Sequence, residues 1–258
     1  MFDLTGKRFL VTGTGSLHGI GFASARALQS LGAEVFITSL SERVYDRARE
    51  LNCTGTTADL TDESAVQEVV AAAVKELGGL DGVVNNAGMT SIVDSAQGEF
   101  ASIDDTSLAT WRKSFARNLD SAFLVTKAAL PYIRKNPWGR VVMVSSATGP
   151  LMAIRNDVAY ASAKAAMIGL VRGLALDEAP NAITVNAIAP GWVATESQTP
   201  SEALHSAATP LGRAGTPDEM ASAVAWLCTP GAAYVTGQMI VIDGANSLPE
   251  QRFLPPTN

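Results

Sequence analysis

Tyr160 and Lys164 stand four residues apart in the run Tyr160-Ala161-Ser162-Ala163-Lys164. On a helix that spacing sets a phenol and an amine one turn apart on the same face. Such a pair can move a proton. Reduction of a ketone by hydride needs a proton donor at the developing alkoxide, and oxidation of an alcohol needs the same group as a base. Free tyrosine titrates near 10, and an ammonium a few ångströms away favours the phenolate and lowers that value. Two serines, Ser145 and Ser146, follow the apolar run Arg140-Val141-Val142-Met143-Val144. A serine hydroxyl opposite the phenol can hold a substrate oxygen. A different chemistry is suggested near the N-terminus by Thr12-Gly13-Thr14-Gly15-Ser16-Leu17-His18-Gly19-Ile20-Gly21. Glycines between a strand and a helix allow a tight turn and let backbone N–H groups approach a pyrophosphate, which the helix N-terminus also attracts.

The elements that must position these groups are legible as alternating short apolar runs and longer helical patterns. Strands are expected at Phe9 to Val11, Val35 to Thr38, a segment ending near Ala58, Gly82 to Val84, Arg140 to Val144, Ile183 to Ile188 and Met239 to Ile242. Helices are expected at Gly19 to Leu31, Glu42 to Leu51, Glu63 to Leu77, about 105–118, about 119–135, Val158 to Glu178 and Pro217 to Leu227. Apolar strands separated by helices predict an α/β fold, a doubly wound parallel sheet of the Rossmann-like type with helices on both faces. Its ligand crevice then lies beyond the C-terminal ends of the strands. With no internal repeat and no low-complexity linker, a single domain over 1–258 is the expectation. Thr216-Pro217-Asp218-Glu219 marks a helix start, with Thr as N-cap, Pro in the first turn and Glu at the third position.

The glycine loop, Asp59-Leu60, Asn85-Asn86-Ala87-Gly88, the Tyr160–Lys164 pair and Pro190-Gly191-Trp192-Val193-Ala194-Thr195 occur in an order that resembles the short-chain dehydrogenase/reductase family over almost the whole chain. The resemblance implies an oxidoreductase acting on a ketone/secondary-alcohol pair with NAD or NADP. It implies Asn118, Ser146, Tyr160 and Lys164 as the catalytic set. Ser146 is preferred to Ser145 because Ala147-Thr148-Gly149 follows it, and Asn118 is implied as a helix-interrupting residue whose carbonyl binds a water linked to the lysine. It implies cofactor contacts from Gly13, Gly15, Ser16, His18, Gly19 and Ile20 in the loop, and from Asp59 and Leu60 at the adenine. Asn86, Ala87 and Gly88 pass beneath the ribose. Tyr160, Lys164, Pro190, Gly191, Val193 and Thr195 face the nicotinamide end, the lysine amine reaching the ribose hydroxyls. One departure concerns the loop. The family's Thr-Gly falls on Thr12-Gly13 when counted from the strand and on Thr14-Gly15 when counted back from the helix.

Cofactor choice turns on the end of the second strand, where a carboxylate would accept hydrogen bonds from a ribose 2′-OH and repel a 2′-phosphate. Ser39 occupies that position without charge, and Arg43 and His18 are nearby partners for a phosphate. The expectation leans to NADP over NAD, although Leu40 rather than Arg follows Ser39. The substrate pocket is expected from the segment after Gly88, from Leu151 to Asp157, and from a lid at about 192–215. Met89, Leu151, Met152, Ile154 and Trp192 suggest an apolar wall for a small or medium carbonyl compound. A 3-oxoacyl-carrier-protein reductase is the alternative within the family, weakened because Leu176 stands where those enzymes carry Arg. A dinucleotide-binding regulator without redox chemistry is a further alternative, disfavoured because both Tyr160 and Lys164 are present.

Composition limits the remaining classes. The chain is 47% hydrophobic and 17% charged, enough for a large core and too little charge for a disordered chain. Its formal charge of −6 gives a nucleic-acid partner no electrostatic support. Two distant cysteines, Cys53 and Cys228, and two histidines, His18 and His205, argue against a disulfide scaffold and against a metal site. Neither a signal-peptide pattern nor a long enough uninterrupted apolar run is present, so the expectation is a cytoplasmic protein without a membrane partner. The sparsely charged helix from Val158 to Glu178 would expose too much apolar surface on a monomer, which predicts that another subunit covers it. The family's homotetramer fits that.

Overall fold

A computed structural model describes residues 1–89 and 100–250. Seven parallel strands form one sheet in the order β3-β2-β1-β4-β5-β6-β7. They are β1 Arg8–Thr12, β2 Glu34–Ser39, β3 Thr54–Thr57, β4 Gly82–Asn85, β5 Gly139–Val144, β6 Ile183–Pro190 and β7 Met239–Ile242. Eight α-helices connect them among the described residues: α1 Ile20–Ser30, α2 Arg43–Leu51, α3 Glu63–Leu77, α4 Leu108–Phe115, α5 Ser121–Ile133, α6 Val158–Glu178, α7 Pro200–Ala207 and α8 Pro217–Cys228. The doubly wound sheet expected from the alternation is therefore present. Six of the expected strands differ by at most two residues at each end, and the polar β3 stops just short of Ala58.

Period-two alternation sends neighbouring strand residues to opposite layers. Leu10, Val83, Val141, Met143 and Val185 pack with α3, α5 and α6, whereas Phe9, Val11, Val84, Val142 and Ile188 pack with α1, α2 and α8. Both faces are dry, which is why β4, β5 and β6 are buried from end to end. By length and hydropathy α6 could cross a bilayer. One side of it, however, carries Ala163, Lys164, Met167, Ile168 and Val171 into this core.

Strand order reverses direction between β1 and β4, so the crevice opens where the chain leaves those two strands. Two capping boxes close helix starts near it. Thr216 and Glu219 begin α8 as the sequence predicts, and Thr199 and Glu202 begin α7 in the same way. Helix α7 lies inside the expected lid and was not anticipated, although Thr199-Pro200-Ser201-Glu202 carries the same signature as Thr216-Pro217-Asp218-Glu219.

Candidate active site and cofactor crevice

The loop after β1 takes its shape from Thr12 and Gly13. Thr12 Oγ1 accepts hydrogen bonds from the Asn86 and Ala87 amides, both at 3.0 Å. Asn86 Nδ2 donates to the carbonyls of Thr12 and Gly13, each at 3.0 Å. Gly13 has φ +72°, and a Cβ there would lie 2.8 Å from the Ala87 Cα. No other residue type accommodates both conditions without strain. Thr14 is held in turn by the Thr38 carbonyl, to which its Oγ1 donates at 3.2 Å, so both Thr-Gly steps of the loop are fixed by the strand ends. Gly19 caps α1 in an extended conformation and Ile20 opens the helix.

These contacts bring the Asn86-Ala87-Gly88 turn against the glycine loop at the switch point. Glycines let the loops along the crevice pack closely, and the buried, unpartnered Asn118 Oδ1 beside Gly88 leaves an acceptor that a bound cofactor or water could use. A Cβ at Gly15 would meet Ser39 Oγ at 2.5 Å, and one at Gly88 would meet Asn118 Oδ1 at 2.8 Å. Asp59 is exposed after β3, with one carboxylate oxygen held by Thr61 through the amide at 3.0 Å and the hydroxyl at 2.7 Å. Leu60 is 7% exposed in the core, so its side chain does not face the crevice and only its main chain can serve there. His18 and Arg43 are exposed.

At the other end of the crevice β5, α6 and the junction of α4 with α5 converge. The continuous helix expected up to residue 118 instead ends at Phe115, and Ala116–Asp120 forms a π-helical turn centred on Asn118. The wider turn buries Asn118 completely, and its Nδ2 donates to the Ser114 carbonyl at 3.1 Å. Asn118 Oδ1 has no hydrogen-bond partner, which is uncommon for a buried polar atom and typical of π-bulges at functional sites.

Tyr160 and Lys164 share a face of α6, with the lysine nitrogen 5.7 Å from the centre of the phenol ring. Ser146 lies close enough to Tyr160 to oppose in part the effect of burial on the phenol, and its Oγ accepts from the Thr148 amide at 3.1 Å. Ser145 is buried and donates to the main-chain carbonyl of Lys164 at 3.0 Å, which ties β5 to α6. Alternation past the strand end predicts Ser145 on the opposite face from Ser146, but it too meets α6, through the Lys164 carbonyl.

One expectation needs correction. Lys164 does not lower the Tyr160 titration here; burial pushes that phenol up to about 12. The lysine is 2% exposed, donates to the Val144 carbonyl at 2.9 Å and is itself pushed down to about 8 by burial. Loss of solvent penalises both charged forms, and that effect outweighs the attraction between them.

Pro190 ends β6, and Gly191 packs against Asp243, where a Cβ would lie 2.7 Å from the aspartate Cβ. Val193 bridges to Gly215, which closes the neck of the lid. Thr195 Oγ1 lies 3.0 Å from Ser197 Oγ. Trp192 stacks on His205 of α7 at 5.5 Å between ring centres and 16° between planes. Met89 and Leu151 are exposed, and Met152 and Ile154 are half-buried. Beyond Met89 the expected pocket segment lies outside the described residues.

The comparisons with known proteins agree with this geometry. The family described as enoyl-(acyl carrier protein) reductase matches residues 13–245. The oxidoreductase UcpA of Salmonella typhimurium is 36% identical, covering 97% of this chain and 98% of that protein. The chain belongs to the short-chain dehydrogenase/reductase family. The 3-oxoacyl-[acyl-carrier-protein] reductase FabG of Vibrio cholerae is 35% identical over 94% of this chain and 98% of its own length. A crystal structure of a short-chain type dehydrogenase/reductase from Mycobacterium marinum superimposes with a TM-score of 0.85 at 29% identity, covering 96% of this chain and 98% of that one. This short-chain dehydrogenase/reductase is an NAD(P)-dependent oxidoreductase of a ketone/alcohol pair.

Sequence reasoning missed one residue of the crevice. Glu196 reaches across it, and its Oε2 accepts from Ser16 Oγ at 2.9 Å and pairs with Arg43 Nη1 at 3.5 Å. No local pattern marks it, since its partners lie 180 and 153 residues away.

Proposed function

We propose that Tyr160 is the proton donor and acceptor of the reaction, with Ser146 holding the substrate oxygen. The placement of Tyr160 beside both Ser146 and Lys164 carries this reading. A bound nicotinamide supplies or accepts the hydride. In ketone reduction the Tyr160 O–H gives its proton to the carbonyl oxygen, and the upward displacement of its titration keeps that proton in place at neutral pH. Ser146 donates to the same oxygen as charge develops on it. Lys164 is one turn away and can leave the Val144 carbonyl for ribose hydroxyls, where its charge would favour the phenolate that remains. Asn118, through its main-chain carbonyl, completes the set with a water on the lysine side.

Gly13, Gly15, Ser16, Gly19 and Ile20 hold the pyrophosphate, with Asp59 and the Leu60 main chain at the adenine. Asn86, Ala87 and Gly88 lie under the ribose, and Pro190, Gly191, Val193 and Thr195 border the nicotinamide. NADP is the proposed cofactor. β2 ends in the uncharged Ser39, whose Oγ accepts from the Ser41 amide at 3.3 Å, and Arg43 Nε donates to Ser41 Oγ at 3.4 Å. Those side chains offer hydroxyls and a guanidinium where a 2′-phosphate would sit, with His18 nearby.

The substrate is a small or medium, largely apolar carbonyl compound, in keeping with Trp192, Met152 and Ile154 along the wall. Docking of an acidic carrier protein is less well served. Arg134 is engaged by the buried Glu178, Lys135 lies 4.9 Å over the Tyr132 ring, and Leu176 is 80% exposed. Assembly as a homotetramer would cover the outer face of α6, where a Cβ at Gly169 or Gly173 would meet nothing within 4 Å. A reducing, cytoplasmic location suits the two free cysteines. Nicotinamide absorbance followed over a panel of ketones and alcohols with each cofactor tests the assignment. Turnover of apolar ketones with NADPH is expected, and a tenfold or larger preference for NADH overturns the cofactor choice.

A further inference from the structure

The segment that leaves β6 runs over the crevice to the side where β2 ends. There the Glu196 carboxylate stands on two donors that an anionic cofactor would also use: the Ser16 hydroxyl at 2.9 Å on the glycine loop and the Arg43 guanidinium at 3.5 Å. Arg43 continues to Ser41 and Ser39, so the carboxylate terminates a polar chain along the end of β2.

We propose that Glu196 sets how strongly this enzyme distinguishes NADP from NAD, by competing with the 2′-phosphate for Arg43. The inference rests on the reading above that Arg43 meets that phosphate. A phosphate of nearly two negative charges must displace the carboxylate or lie beside it against repulsion. A ribose 2′-OH has no charge and leaves the Arg43–Glu196 pair intact. Through Ser16 Glu196 acts on the pyrophosphate of both cofactors alike, and through Arg43 it weakens NADP alone. A carboxylate at the end of β2 would do this from a fixed strand. Glu196 does it from the segment that leads into α7, so it can withdraw without disturbing the sheet. Both side chains are well exposed, 64% for Arg43 and 41% for Glu196, so the pair is of surface strength and its effect is modest.

Titration of NADPH and NADH by nicotinamide fluorescence into the full-length wild type, Glu196→Gln, Arg43→Ala and the double variant tests this. Glu196→Gln should tighten NADPH about three- to fivefold more than it tightens NADH. In the Arg43→Ala background the same substitution should lose that selectivity. Equal shifts for both cofactors, or no shift, would overturn the role of Glu196. If Arg43→Ala still weakens NADPH selectively in that case, the Arg43 reading survives and this inference alone falls. If Arg43→Ala leaves the NADPH/NADH ratio unchanged, both fall together.

Discussion

At the end of the crevice that holds Tyr160, the polar groups are buried or half-buried and come from adjacent turns of α6 and from the two residues after β5. At the end that holds Arg43 they are exposed and come from the glycine loop, from α2 and from the segment after β6. Burial at the first end makes electrostatics strong and raises the cost of charge, as the downward displacement of Lys164 to about 8 shows. Solvent at the second end screens the same kind of interaction to a fraction of that strength. A single fold thus places the proposed proton-transfer groups where water is scarce and the proposed cofactor-selecting groups where small changes are tolerated.

The sharpest break of this contrast is Tyr160→Phe. It should lower turnover by about 10²–10⁴-fold while NADPH still binds, as seen by absorbance kinetics beside fluorescence titration. Retained turnover would show that the proton comes from elsewhere.

Lys164 offers the next test, through stability. Its folded value lies below its ordinary 10.5, so the unfolded chain binds the proton more tightly. Stability linked to Lys164 is therefore full above about 10.5, falls as pH drops towards about 8, and stays low beneath that. The slope is about 1.4 kcal/mol per pH unit at most. Tyr160 acts in the opposite direction, with its folded value raised to about 12, so its contribution is lost only as pH rises from about 10 to 12. Denaturant unfolding between pH 7 and 10 should show wild type gaining stability that Lys164→Met does not gain. Parallel curves would place the lysine in solvent.

Gly149→Ala tests how the first end is assembled. Gly149 has φ +103°, and a Cβ there would land on the Ala161 carbonyl of α6. The loop carrying Ser146 must then move away from Tyr160, at a cost of about 1–3 kcal/mol. Thermal unfolding should drop by several degrees, and kcat should fall about tenfold or more. The smallest effect belongs to the exposed end. Raising salt from about 0.05 to 0.5 M should reduce NADPH affinity more than NADH affinity, by about two- to threefold, with kcat unchanged. A salt-insensitive ratio would mean that the phosphate site is shielded.

What the sequence determined by itself is whatever depends on local spacing. The four-residue step from Tyr160 to Lys164, the two-residue alternation of strand residues and the Thr216 capping box each follow from the geometry of one element. Helix α7 carried a signal of the same kind in Thr199 and Glu202. Tertiary structure alone decided the rest. The shape of the loop at Thr12-Gly13 depends on Asn86 reaching across from the end of β4. That Leu60 is a core residue depends on the helices that cover it. The titration of Tyr160 depends on how much water the surrounding elements remove, which no spacing reports. Glu196 meets Ser16 and Arg43 only because the parallel sheet brings the ends of β1, β2 and β6 to one edge, and contacts between chain segments so far apart leave no periodic trace in the sequence.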